Sequence, residues 1–134
     1  MRTKCAVVVA GIALLVSVVG VSAHHSFSAE FDASKPFKMT GTVTKVEWMN
    51  PHTYFYIDVS DEKSGKVTNW GMEMGSPNGL MRQGWTRNTM KIGDQVTVEG
   101  SLAKDGSPTG NARSVVMVKT GQRLFAASSQ GNTP

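Results

Sequence analysis

The chain has 134 residues, with 14 Lys+Arg against 10 Asp+Glu, a formal charge of +4 and one cysteine. That length suits one small domain with a single core. The charge is not gathered into the Lys/Arg face of a nucleic-acid binder, and a single cysteine allows no internal disulfide.

The first residues read as a secretory leader. Arg2 and Lys4 make a basic start, an apolar run covers residues 6–21, and Val21, Ser22 and Ala23 present small residues where a signal peptidase cuts. The run is shorter than the roughly 20 residues of a spanning helix, and no basic stop-transfer cluster follows. We therefore expect cleavage after Ala23, an address in the periplasm or outside, and no stable membrane anchor afterwards. Cleavage takes Cys5 with the leader, together with Arg2 and Lys4, so the mature chain is less basic than the precursor. The expected organisation is a signal peptide over 1–23, an N-terminal arm over 24–37, a domain over 38–126 and a flexible tail over 127–134.

In the arm, Phe27, Phe31 and Phe37 are spaced without a period along a polar segment, as in a strap that tucks rings into the domain. From Met39 the pattern turns to strands. T-G-T-V-T-K-V-E-W (residues 40–48) is rich in β-branched residues, and Asn50-Pro51 interrupts it because Pro51 lacks an amide donor. In H-T-Y-F-Y-I-D-V (residues 52–59), Phe55, Ile57 and Val59 share one face, and Tyr54, Tyr56 and Asp58 the other. Residues 67–74 read as a third strand. Ser76 as cap, Pro77 at the first position and Gly84 as a left-handed stop mark a helix of two turns at most. Residues 95–102 form a fourth strand, with Val96, Val98 and Leu102 alternating with polar neighbours. Residues 112–118 form a fifth, and Leu124 and Phe125 a short edge. Three strands, a short helix and two strands is the order of a small five-stranded OB-like barrel, so the expected class is mostly β. The alternative is an open β-sandwich.

H-H-S-F, T-G-T-V-T-K-V-E-W-M-N-P-H, N-W-G-M-E-M-G-S-P-N-G-L and G-D-Q-V-T-V-E-G, taken together and in this order, resemble an exported bacterial family catalogued as Domain of Unknown Function 6152. The resemblance covers nearly the whole mature chain. It implies a small, exported, mostly β protein and supplies no catalytic residues.

The mature chain has three histidines: His24, His25 and His52. Cleavage after Ala23 makes His24 the first residue, so its α-amino group and Nδ1 can chelate one ion, with His25 or His52 adding an imidazole. A nitrogen-rich set without sulfur anions suits Cu(II) first, and Zn(II) or Ni(II) second. The competing reading is a solvated end, with His52 capping a turn. Met72 and Met74, on one strand face with Trp70, are either thioether ligands for Cu(I) or, more simply, core filling. Glu47, Asp58 and Glu73 are strand acids that either orient a histidine or face water.

Trp48, Tyr54, Tyr56 and Trp85 could form an aromatic ligand face, although half-buried tyrosines are also ordinary sheet formers. Arg82 and Arg87 beside Trp85 are either anion contacts or solvated charges. No nucleophile elbow, thiol dyad, zincin helix or phosphate loop is present, and Ser26 beside His25 lacks the geometry of a catalytic pair. The expectation is a non-enzymatic envelope protein. It holds a metal, copper first, or is a metal-free module that binds a partner protein, peptide or glycan.

Overall fold

In the computed structural model, which describes residues 26–127, the chain opens with a short helix, α1 (Ser26–Glu30), and passes directly into a 17-residue strand, β1 (Phe31–Glu47). The leader, His24, His25 and residues 128–134 lie outside the described residues. Strand pairing thus begins at Phe31, within the segment expected to be an arm. The aperiodic spacing has a local cause: pairing with the fourth strand slips between Asp32 and Pro36, so the faces do not alternate there. Phe31 is buried and Phe37 packs against the core, both from within the strand.

The remaining elements are β2 (Tyr54–Ser60), β3 (Val67–Glu73), α2 (Pro77–Arg82), β4 (Gln95–Ala103), β5 (Thr109–Met117) and β6 (Arg123–Phe125). β1 is long enough to pair antiparallel with β4 along its first part and with β2 along its last. β2 pairs with β3 and β4 with β5, again antiparallel. Residues 71–73 of β3 then meet residues 109–111 of β5 in parallel. That contact closes five strands into a ring with the order of an OB-like barrel, and β6 extends β5 beyond it. Ring closure distinguishes this fold from an open sandwich.

The inner faces supply Val43, Phe55, Ile57, Met72, Val96, Val98 and Val115, all 1% exposed or less. Each fully buried side chain of this size contributes about 1.5–3 kcal/mol. Met72 and Met74 belong to this core, the simpler of their two readings. Ser76 caps α2, accepting from the Gly79 amide at 3.2 Å, and Gly84 takes a φ of 95° after the helix. The helix turns Pro77 and Leu80 inward. Trp85 follows it into the core, 2% exposed, and donates its indole N–H to the Phe125 carbonyl at 2.8 Å. It is therefore a packing residue and not part of a ligand face, while Arg82 and Arg87 are exposed beside it.

Two bulges set which residues face in. Register slips at Thr44, so Val43 and Val46, three apart, both turn inward, opposite Ile57 and Phe55. The same slip sends Lys45 and Glu47 to the outer face, opposite Tyr56 and Tyr54. The second slip lies between Glu99 and Gly100, where Arg113 is the extra residue on β5. Gly100 lies with Val98 in the buried row, as alternation on β4 requires, whereas Leu102, expected inside, is only half-buried.

A Cβ on Gly100 would stand 1.9 Å from the Asn111 carbonyl oxygen. Gly100→Ala must push β4 off β5 at the bulge, at a cost of about 2–3 kcal/mol. Thermal melts followed by circular dichroism should show a midpoint lower by roughly 10 °C or more. An unchanged midpoint would show that the two strands are not packed this closely.

Candidate metal centre at the end of the barrel

Ring closure creates a place where an outward-facing side chain is nevertheless covered. β3 alternates, and Met72 and Met74 point inward, so Glu73 points out. At this position, however, β3 is paired on both edges, with Tyr54 of β2 opposite Glu73 on one side and Asn111 of β5 on the other. Just beyond, Gly75 donates its amide to the Ala126 carbonyl at 2.9 Å, and Ala126 and Ala127 are buried. Glu73 is consequently 6% exposed and does not face water, the reading favoured for strand acids. Asp58 does face solvent, accepting from the Asn69 amide at 2.8 Å.

A buried carboxylate must be paired or hydrogen-bonded to persist. Glu73 Oε1 is bonded to His52 Nδ1, and Oε2 accepts from the Tyr54 hydroxyl at 3.2 Å. His52 follows the Asn50-Pro51 turn and stands two positions ahead of Tyr54, where β2 begins. His52 keeps 28% of its side chain exposed, against 8% for Glu73. When the imidazole is neutral, Nδ1–H donates to Glu73 and the lone pair resides on Nε2. Among the described residues Nε2 has no hydrogen-bond partner. This is the arrangement by which a carboxylate fixes the tautomer and direction of a ligating histidine.

Asn111, 3% exposed, lies next to Glu73 in register, and its Nδ2 is unpartnered among the described residues. Neither Glu73's role nor Asn111 was singled out by sequence. Glu73 was placed among three strand acids, but nothing local shows that its strand end is flanked on both edges.

Tyr54 and Tyr56 share the outer face, as their alternation requires, but both phenols are engaged. Tyr56 donates to Glu47 Oε2 at 3.2 Å, its ring passes over Gly71, and the Lys45 ammonium, bonded to Glu47, lies 5.3 Å from the ring centroid. Lys45 holds the Glu47 carboxyl below its ordinary range, and the Glu47 bond and charge raise the Lys45 ammonium. Burial first, then Glu47, raises the Tyr56 phenol. Trp48 packs against the core beside this face. Tyr54 shifts furthest. Burial, then the charge and hydrogen bond of Glu73, then the charge of Glu30, push its phenol from 10.0 up to about 12.

Among the described residues, no three His, Cys, Asp or Glu side chains gather as metal ligands, and His52 is the sole histidine there. A centre at His52 would therefore draw further ligands from His24 and His25, outside the described residues. No helix among the described residues is long and apolar enough to cross a membrane.

The model of a family of unknown function, DUF6152, matches residues 12–113. The chain belongs to that family. No curated protein and no solved structure matches it. Membership agrees with the resemblance carried by the N-P-H and W-G-M-E-M stretches, and those are the stretches that hold His52 and Glu73.

The raised Tyr54 phenol has a definite consequence at high pH. The folded state keeps this proton more tightly than the unfolded state does. Stability from Tyr54 is therefore whole below pH 10 and lost as pH rises from 10 to about 12. Urea midpoints measured across that window should fall less steeply in Tyr54→Phe than in the parent. Parallel curves would mean that the Tyr54 phenol is not raised by its burial and by Glu73.

Proposed function

We propose that this member of DUF6152 is an exported protein that holds Cu(II), as a carrier or accessory factor and not as an enzyme. The observation that carries this reading is the clamp on His52. Glu73, buried and bonded through Tyr54 from its other oxygen, keeps His52 Nδ1 and leaves Nε2 to a ligand. The remaining donors are the α-amine and imidazole of His24, created by cleavage after Ala23, and the imidazole of His25.

Chain reach supports the combination. His24 lies two residues before Ser26, a span of at most about 7 Å, and the helix that Ser26 opens passes directly into β1, the strand paired with β2. The donor set is nitrogen with an anion behind it, and the soft thioethers of Met72 and Met74 are in the core. Such a set favours Cu(II) over Cu(I), with Zn(II) and Ni(II) behind. The metal-free alternative, a partner protein, peptide or glycan on the face of Tyr54, Tyr56 and Trp48, has less to support it. Both phenols are occupied by carboxylates and Trp48 is packed inward.

The test begins with protein exported through its own leader, with intact mass confirming His24 as the first residue. Cu(II) affinity is then measured against a competing chelator. One residue added before His24, His52→Asn and Glu73→Gln should each lower affinity by about 10- to 100-fold. Equal affinity in the extended chain and in His52→Asn would overturn the proposal, since ordinary terminal histidines would then explain all binding.

A further inference from the structure

The core is sealed where α2 turns Pro77 and Leu80 inward and Trp85 follows them. It runs out along β2 and β3 toward their connecting turn. On β2 the inward row passes from Phe55 and Ile57, fully buried, to Val59, half-buried. On β3 it passes from Met72, fully buried, to Trp70 and Thr68, both half-buried. Where the rows end there is an open cavity of about 560 Å³, lined by Val59, Thr68, Trp70 and the turn itself. That volume falls within the roughly 300–1,000 Å³ of small-molecule sites, which pair an apolar floor with a few polar groups.

The turn is a fixed rim. Asp61 donates its amide to the Lys66 carbonyl and accepts from the Gly65 amide at its own carbonyl, each at 2.8 Å. The Asp61 carboxylate accepts from the amides of Lys63 at 3.1 Å and Ser64 at 2.7 Å, and from the Ser64 hydroxyl at 2.8 Å. Its charge is thus answered inside the turn. Lys63 and Lys66, which also line the cavity, have no carboxylate within ion-pair distance among the described residues. Glu62 is the one other acid in the lining. Trp70 differs from Trp85 in the same sense: the Trp85 indole N–H reaches the Phe125 carbonyl, whereas that of Trp70 has no partner among the described residues. Two ammonium groups and an indole donor therefore stand unpaired around an apolar floor.

We infer that this cavity is a second binding site, for a small planar aromatic carboxylate whose ring lies against Trp70 and Val59 and whose anion meets Lys63 and Lys66. An indole prefers offset contact with another aromatic ring, and charge-assisted bonds from the ammonium groups give the anion an orientation that ring contact alone lacks. His52 precedes β2 and the cavity lies at its far end, so the inference stands apart from the metal reading.

The experiment titrates the exported mature chain with naphthoate and, separately, with uncharged naphthalenemethanol. Proton–nitrogen NMR follows the Trp70 indole N–H, assigned through Trp70→Phe. Naphthoate should shift that signal saturably. The alcohol should bind about fivefold more weakly, and naphthoate should lose a similar factor when Lys63→Gln and Lys66→Gln are combined. A backbone spectrum unchanged in the double variant separates loss of the anion contact from loss of fold, and His52→Asn should bind naphthoate as the parent does. Absence of a saturable Trp70 shift at millimolar naphthoate would overturn the inference. So would equal affinity for the alcohol, or binding that survives removal of both lysines, since the cavity would then be only an apolar surface.

Discussion

Glu73 is a carboxyl group placed at a strand end where both neighbouring edges are already taken, and it is shielded from water there. Removing one partner from such a buried charge typically costs about 3–5 kcal/mol, so its neighbours are not interchangeable with apolar residues. His52 and Tyr54 occupy its two oxygens, and each is thereby fixed. The barrel's closing contact between β3 and β5 covers the carboxylate, the carboxylate orients the imidazole, and the imidazole presents one nitrogen. What the protein can bind at this end follows from that sequence of constraints.

The same closure explains the division of labour across the outer face. Bulging at Thr44 moves Lys45 and Glu47 outward, where Glu47 engages Tyr56 and Lys45 sits over its ring. The neighbouring pair, Tyr54 and Glu73, differs because Glu73 is paired on both edges and buried, whereas Glu47 is half-buried. Two tyrosine–glutamate contacts of the same length therefore have different consequences. One is a solvent-side brace, and the other is part of a buried chain ending at a half-buried histidine.

Much of the barrel was legible because its signals are local. The alternation of Phe55 and Ile57 against Tyr54 and Tyr56, the Ser76-Pro77 cap and the left-handed Gly84 each act within a few residues. Legibility failed where a residue's surroundings come from distant chain. Pairing from Phe31 was masked by a register slip opposite β4, and Leu102, which pairs with Asp32 at that same slip, is only half-buried. Trp85 looked like a surface aromatic between arginines, and only β6 supplies the carbonyl that holds its indole. Glu73 is the same case at the candidate site. His52 stood out by composition alone, whereas its orienting acid is 21 positions away and is buried by a strand nearly 40 positions further on.

The central claim is that Glu73 holds His52 through Nδ1 and leaves Nε2 to coordinate. Long-range proton–nitrogen NMR on the metal-free mature chain, at a pH where the ring is neutral, reads the tautomer directly. The account predicts the Nδ1–H tautomer for His52 in the parent and loss of that preference in Glu73→Gln. A His52 ring carrying its proton on Nε2 in the parent would contradict it.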